Sequence, residues 1–241
     1  MYSQADTHIH TTFSDGLMTP EETVAYAAAH TALRVIAITD HGSAEGAFAA
    51  RAYAQRFTPT LEVVTGQEVY TGNGDVVGLF LNHTLPSFDT AAEAIAAIHT
   101  QGGLAIAVHP FSRWATGGNM KGVAQKIFSL PFDGVEVRNG FPANLVSNAL
   151  TAWLNRSLGQ NLPELGGSDS HVAFTVGQAL THFPGHSAAH LRRAIEQGTV
   201  RAGGWLWTPA SLARLLPLLL LRRGLPKCSP AAAELHQPAA K

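Results

Sequence analysis

Five short apolar runs in this chain each end on a histidine or a carboxylate, and that repetition restricts the fold more than any other feature. The runs close as Asp6-Thr7-His8-Ile9-His10, Ile36-Ala37-Ile38-Thr39-Asp40-His41, Val63-Val64-Thr65-Gly66-Gln67-Glu68, Ala105-Ile106-Ala107-Val108-His109 and Leu165-Gly166-Gly167-Ser168-Asp169-Ser170-His171. Short apolar runs bounded by turn residues read as buried strands. Residues two apart on a strand share a face, so His8 and His10 project together, as do Asp169 and His171. Any one of these groups alone reads equally as a satisfied polar residue of a core. Jointly, burying so many ionisable groups at one end of one sheet without a cation would be costly. Two imidazoles beside carboxylates suit a divalent metal. Twelve histidines against four lysines point the same way.

Ala/Leu-rich segments of helical length separate the runs, which is the pattern of a mainly parallel α/β fold. Strands are predicted at residues 6–10, 35–39, 61–68, 76–81, 104–108, 134–137 and 162–166, with two later ones near 178–183 and 199–202. Helices are predicted at about 20–30, 44–56, 90–101, 142–158 and 188–197. Thr19-Pro20-Glu21-Glu22 opens the first as a capping box with proline at the first helical position. Gly72-Asn73-Gly74 is a turn signal, so Glu68 is expected to precede a hairpin. Residues 1–204 read as one domain. Residues 205–241 form a different texture: a leucine-dense helix interrupted by Pro217, then a Pro/Ala-rich tail. That helix is expected to pack on the barrel or on a second copy of the chain.

Composition narrows the function. Charged residues make up only 14% and hydrophobic residues 46%, which argues against a disordered chain. A formal charge of -1 gives no bulk attraction for a long phosphate backbone or an anionic membrane. The single cysteine, Cys228, excludes an internal disulfide and a cysteine-rich zinc module. The longest apolar stretch, residues 215–221, is far short of a membrane span. With no basic-then-apolar leader at the start, the expectation is a cytoplasmic protein.

The ordered motifs His8-Ile9-His10 with Ser14-Asp15-Gly16, Thr39-Asp40-His41, Gly66-Gln67-Glu68, His109-Pro110 and Ser168-Asp169-Ser170-His171 resemble those of the PHP family, named for polymerase and histidinol phosphatase domains. The resemblance spans about residues 5–203. It implies a distorted seven-stranded (β/α) barrel, TIM-like in plan, with two or three divalent ions (Mn, Fe or Zn) at the C-terminal face. It implies hydrolysis of phosphoesters. By position, His8, His10, Glu68 and Asp169 would hold one ion. Glu68 would bridge to a second, which His109 also binds, and Asp15, His41 and His171 would hold a third. Glu68, His109, Asp169 and His171 are the residues expected to carry catalysis. Closely spaced divalent ions acidify water to a hydroxide nucleophile and stabilise the phosphoryl oxygens.

This chain departs from the family pattern after the Gly-X-Glu motif. Relatives often carry a histidine on the next strand, where this chain has Asp75 in Gly74-Asp75-Val76-Val77-Gly78. Asp75 is either an oxygen ligand to the second ion, favouring harder metals, or simply a turn residue. Arg113, Lys121 and Arg138 lie just past strand ends and are candidates to grip a phosphate, with surface ion pairs as the alternative. Asp6 and Asp40 adjoin proposed ligands and would orient them as acceptors, or serve structure alone. Glu136 is expected to bond within the barrel, and His83 is a weaker ligand candidate. The expected partner is a small phosphorylated substrate, not long nucleic acid, with self-association through the C-terminal helix. Hydrolysis of C–N bonds on the same metal cluster and a non-enzymatic metal-stabilised scaffold are the alternatives.

Overall fold

The computed structural model describes residues 1–112, 121–158 and 161–222. Nine strands form one sheet in the order β7-β6-β5-β4-β3-β2-β1-β8-β9. They are β1 (Tyr2–Ile9), β2 (Val35–Ile38), β3 (Glu62–Val69), β4 (Val76–Leu79), β5 (Leu104–Ala107), β6 (Gly134–Asn139), β7 (Glu164–Gly167), β8 (Ala179–Pro184) and β9 (Arg201–Gly204). The sheet curls into a nearly closed barrel because the C-terminal end of β1 meets the end of β7. There the His10 N–H donates to the Ser170 carbonyl at 2.8 Å, and Ile9 and Ser170 form a parallel bridge. Strands β1–β7 are the expected seven, and β8–β9 extend the sheet antiparallel from β1. Hence β1 begins four residues earlier than its motif suggests, since Tyr2–Ala5 pairs with the end of β8.

The expectation of a mainly parallel sheet needs correction. Four of the eight pairings are antiparallel: β3–β4, β4–β5, β1–β8 and β8–β9. The cause of the first is local. Gly72-Asn73-Gly74 reverses the chain right after β3, too soon for a crossover helix, so β4 must return antiparallel. As a result β4 enters the barrel wall between β3 and β5 and places Asp75, at its start, beside the C-terminal end of β3.

The helices lie outside the sheet. They are α1 (Pro20–His30), α2 (Glu45–Phe57), α3 (Ala91–Thr100), α4 (Leu145–Leu158) and α5 (Ala188–Glu196). Capping boxes start two of them, Thr19 with Glu22 on α1 and Thr90 with Glu93 on α3. Small residues let α2 approach closely, burying Ala47, Ala50 and Ala54 with Ile36, Ile38 and Val63. On α3, Ile95 and Ile98 fill the space over β4 and β5. Residues Met1–Thr208 cluster as one compact unit and Pro209–Lys241 as another, of which the described part is the helix α6 (Pro209–Arg222) with Pro217 inside it. Among the described residues no helix is long and apolar enough to cross a membrane.

Barrel closure depends on glycine in β7. A Cβ on Gly167 would overlap the His8 Cβ and sit 2.8 Å from the Glu136 Oε1. Both neighbours are held by buried hydrogen bonds and have no room to shift. Gly167→Ala is expected to lower unfolding free energy by about 1–3 kcal/mol, the usual cost of overpacking. Urea denaturation of the two proteins measures it, and equal midpoints would show that β1 and β7 are less tightly apposed than described.

Candidate metal centre

The strand ends bring eight side chains to one end of the barrel. His8 and His10 come from β1, and Glu68 from the last turn of β3. His41, His109, Asp169 and His171 follow β2, β5 and β7, and Asp15 lies on the loop after β1. Their donor atoms form three tight groups, each within 4.8 Å: His10, Asp15, His41 and His171; His8, His10 and Glu68; and His8, His109 and Asp169. Glu68 sits at the middle. Its Oε2 is 3.2 Å from His8 Nε2, 3.3 Å from His10 Nε2 and 3.4 Å from His41 Nδ1, while its Oε1 is 3.2 Å from His109 Nε2. Asp169 Oδ1 reaches His10 Nε2 at 3.2 Å, and Asp15 Oδ1 reaches His171 Nε2 at 3.2 Å. Two of these residues, His109 (φ 30°) and Asp169 (φ 51°), occupy the left-handed backbone region. A non-glycine residue there is strained, and such strain persists only where the surroundings hold it.

Burial sets the electrostatics. Glu68 is almost wholly buried, which by itself would raise its pKa. The charges of His41 and His8 and the contacts from His109 and His8 instead hold it well below the usual carboxylate range. Asp169 follows the same logic, with His8 and His10 outweighing burial. In return, despite burial, His8 is pushed well above its ordinary value by Asp169, Glu136 and Glu68. His109 rises to about 9 through Glu68, and His171 to about 9 through Asp15. His10 goes the other way, lowered by burial and by the neighbouring His171 and His41. The pocket is therefore built to hold positive charge among carboxylates.

The donor set fits divalent cations. Among the described residues, the Nδ1 atoms of His10 and His109 are buried without a hydrogen-bond partner, and His10 Nε2 and His41 Nδ1 meet only carboxylate oxygens, at 3.2 and 3.4 Å, without hydrogen-bond geometry. Such atoms are costly unless something binds them. Nitrogen and oxygen donors without thiolate suit Mn²⁺, Fe²⁺ or Zn²⁺.

A second layer holds these side chains. Glu136 Oε1 lies 3.0 Å from His8 Nδ1, turning His8 so that Nε2 faces Glu68. Glu136 Oε2 accepts from the His109 N–H at 3.0 Å and from Asn139 Nδ2 at 2.9 Å. The Asn139 amide also donates to Asp169 Oδ2 at 3.1 Å, so it links strands β6 and β7 behind the cluster. Asp6 and Asp40 orient backbone rather than imidazoles. Asp6 accepts from the Ser168 and Gly177 N–H groups at 2.9 and 2.7 Å. Asp40 takes the Thr11 N–H, the Thr11 hydroxyl and the Ser14 hydroxyl, folding the loop that carries Asp15. Tyr70 stacks on His41, ring centroids 5.0 Å apart and 5° from parallel.

The remaining sequence candidates divide. Asp75 is buried, and burial together with Glu68 pushes its carboxyl up to about 7. Its Oδ2 accepts from the Lys121 N–H at 3.2 Å, and it stands outside the three tight groups. Lys121 thus flanks Asp75, but its ammonium donates to the Gly72 carbonyl at 3.0 Å. Arg138 does not reach the cluster. The pairing of β6 with β7 shifts register between Glu136 and Arg138. This bulge turns Glu136 and Asn139 inward and sends Arg138 out, where its guanidinium lies 5.7 Å from the Trp205 ring centroid. Arg113 lies outside the described residues. His83 is exposed and stands outside the three tight groups. Sequence reading missed Asn139 and Tyr70. Asn139 had one signal, a polar residue at the end of an apolar strand followed by Gly140.

The chain is similar to several known proteins. A family model described as PHP domain matches residues 6–113, and one described as PHP-associated matches residues 159–200. An uncharacterized protein of Methanocaldococcus jannaschii is 34% identical over 172 residues, 67% of this chain and 94% of that protein. A solved two-domain protein from Bacteroides vulgatus, containing a predicted PHP-like metal-dependent phosphoesterase, is similar with a TM-score of 0.65 at 20% identity over 85% of this chain. This chain spans 65% of that protein's length. An amidohydrolase from Chromobacterium violaceum, solved with bound sulfate and no metal, gives a TM-score of 0.55 at 18% identity, covering 82% of this chain and 97% of that one. At these identities the two structures share the fold.

A cation held by His109 and His171 would displace protons, because both are raised to about 9 and an imidazole ligates metal only when neutral. Below that range protons compete with the ion, so affinity falls as pH falls. Mn²⁺ titration calorimetry is expected to show proton release at neutral pH, seen as a dependence on buffer ionisation enthalpy. The apparent affinity at pH 8 should exceed that at pH 6 by about tenfold or more, since each displaced proton contributes up to tenfold per pH unit. An affinity independent of pH would contradict the protonation pattern described.

Proposed function

The chain belongs to the PHP family, and on that premise we propose that it is a metal-dependent hydrolase of phosphoester bonds. The substrate class is a small phosphomonoester, a nucleotide or a short oligonucleotide. The observation that carries the reading is the two-sided environment of Glu68, with three histidines on one oxygen and His109 on the other. A carboxylate so placed would serve two cations.

His8, His10, Glu68 and Asp169 would hold one ion, Glu68 and His109 a second, and Asp15, His41 and His171 a third. When bound, closely spaced divalent ions lower the pKa of water and offset the charge that develops on phosphoryl oxygens. The protein's own residues do the rest. Glu136 fixes the ring orientation of His8, and Asn139 fixes Asp169 and Glu136 relative to each other. Asp15, half exposed at the mouth, marks where substrate enters. Asp75 is proposed as a further oxygen donor toward the ion shared by Glu68 and His109, since it is buried within reach of their charges. Lys121, next to Asp75, and Arg113 are the proposed phosphate contacts.

Small size follows from charge. Sixteen basic residues against seventeen acidic ones leave no surplus for a long phosphate backbone, so dependence on salt is expected to be weak. The second reading is C–N hydrolysis at the same cluster. It is favoured by one observation, the likeness of fold to the Chromobacterium violaceum amidohydrolase.

A panel of phosphomonoesters, phosphodiesters and amides, assayed with Mn²⁺, Fe²⁺ or Zn²⁺, separates the two readings. Phosphate release from a phosphomonoester is expected, abolished by a chelator and restored by metal. Glu68→Gln should lower turnover at least a hundredfold, as loss of a preorganised charged group commonly does. Undiminished turnover in that variant at full metal occupancy would remove Glu68 from the chemistry, and turnover of amides alone would replace the reading.

A further inference from the structure

The helix α4 is amphipathic in the reverse sense. Toward the barrel it buries Ser147, Asn148, Thr151 and Asn155. These are satisfied locally: Asn148 brackets the backbone of Asn139, donating to its carbonyl at 2.9 Å and accepting from its N–H at 3.0 Å. Asn155 does the same for Leu162, at 3.0 Å each way. The polar face is thus committed to pinning β6 and the entry to β7, and the apolar residues are left facing water. Leu145, Val146, Leu150 and Trp153 are all exposed on one side of the helix, Val146 by 75% and Trp153 by 59%. Trp205, next to β9, is 69% exposed, and it lines one groove of about 720 Å³ together with Leu145 and Ala149. The surface is therefore continuous from α4 to Trp205.

Together these five side chains leave on the order of 600 Å² of apolar surface in water, given that one aromatic side chain alone carries about 150–250 Å². Monomeric proteins rarely expose a contiguous apolar patch beyond about 300–600 Å². A standard interface buries about 800 Å² on each partner. The area stands at the upper end of what a monomer exposes and supplies most of one partner's share of an interface.

We propose that this face is a homodimer interface in which α4 packs against α4 of a second copy about a twofold axis. Charge selects the occupant. Arg156 is the only charged residue on α4, and Glu164 of the same molecule already neutralises it, with Nε to Oε1 at 2.8 Å. Two α4 faces meet without like-charge repulsion, which a self-complementary contact requires, while Arg138 and Arg201 lie in the groove beside Trp205 and not on the helix. A differently charged partner would find no unpaired charge on the helix to recognise. This proposal places self-association on α4, whereas the sequence reading placed it on the C-terminal helix.

Sedimentation equilibrium of the full chain across micromolar concentrations tests this, beside Trp153→Glu and Val146→Glu. The wild type is expected to be a dimer, and either glutamate should raise the dimer dissociation constant about a hundredfold, the scale of a central interface residue. Far-UV circular dichroism and Mn²⁺ binding should be unchanged. Should a glutamate variant fail to fold, the milder Val146→Gln decides, with a measurable rise in the same constant expected. A wild type that stays monomeric at tens of micromolar overturns the proposal. So does a dimer that survives every folded substitution on α4, a result that would move the interface to the leucine-dense segment after Thr208.

Discussion

The contact on which this structure depends is between the buried Glu68 carboxylate and the histidines that surround it. An isolated charge in such a place would cost several kcal/mol. It is tolerated because four imidazoles from three strand ends converge on its two oxygens. Strand β3 stands at the centre of the sheet order, and its last residues reach the C-terminal end where β1, β2 and β5 also finish. The barrel's shape is the means by which residues far apart in sequence reach one carboxylate. An ion bound there takes over the role that protons on the histidines play in balancing the charge.

The layer behind the cluster explains its rigidity. Glu136 is bonded to His8, to the His109 backbone and to Asn139, and Asn139 is bonded to Asp169. Asn139 is in turn gripped by Asn148 and Asn144. A chain of amides thus runs from α4 through β6 to the ligands. The same commitment leaves α4 with its apolar residues outward, so the demands of the metal centre and the surface chemistry of the protein have one origin.

Much of this was legible in the sequence because it is local. Strand ends that stop on His, Asp or Glu are visible residue by residue, and eight of the nine proposed ligands do converge. The hairpin after Glu68 was visible in Gly72-Asn73-Gly74. Other features were not, and for definable reasons. The register shift in β6 reverses the parity of Arg138 and Asn139, and a bulge depends on the partner strand, which the local sequence does not reveal. The inversion of α4 contradicts its own apolar pattern, because hydrogen bonds to Asn139 and Leu162 decide which face turns inward. Antiparallel pairing of β1 with β8 joins segments that only the closed barrel brings together.

The central claim, that Glu68 is a two-sided carboxylate organising the cluster, is tested most directly by anomalous scattering from crystals grown with excess Mn²⁺. The account predicts ions on both sides of Glu68, one against Oε2 among His8, His10 and Asp169, and one against Oε1 with His109. A single ion touching Glu68 at saturating metal, or ions bound only elsewhere on the protein, would contradict it.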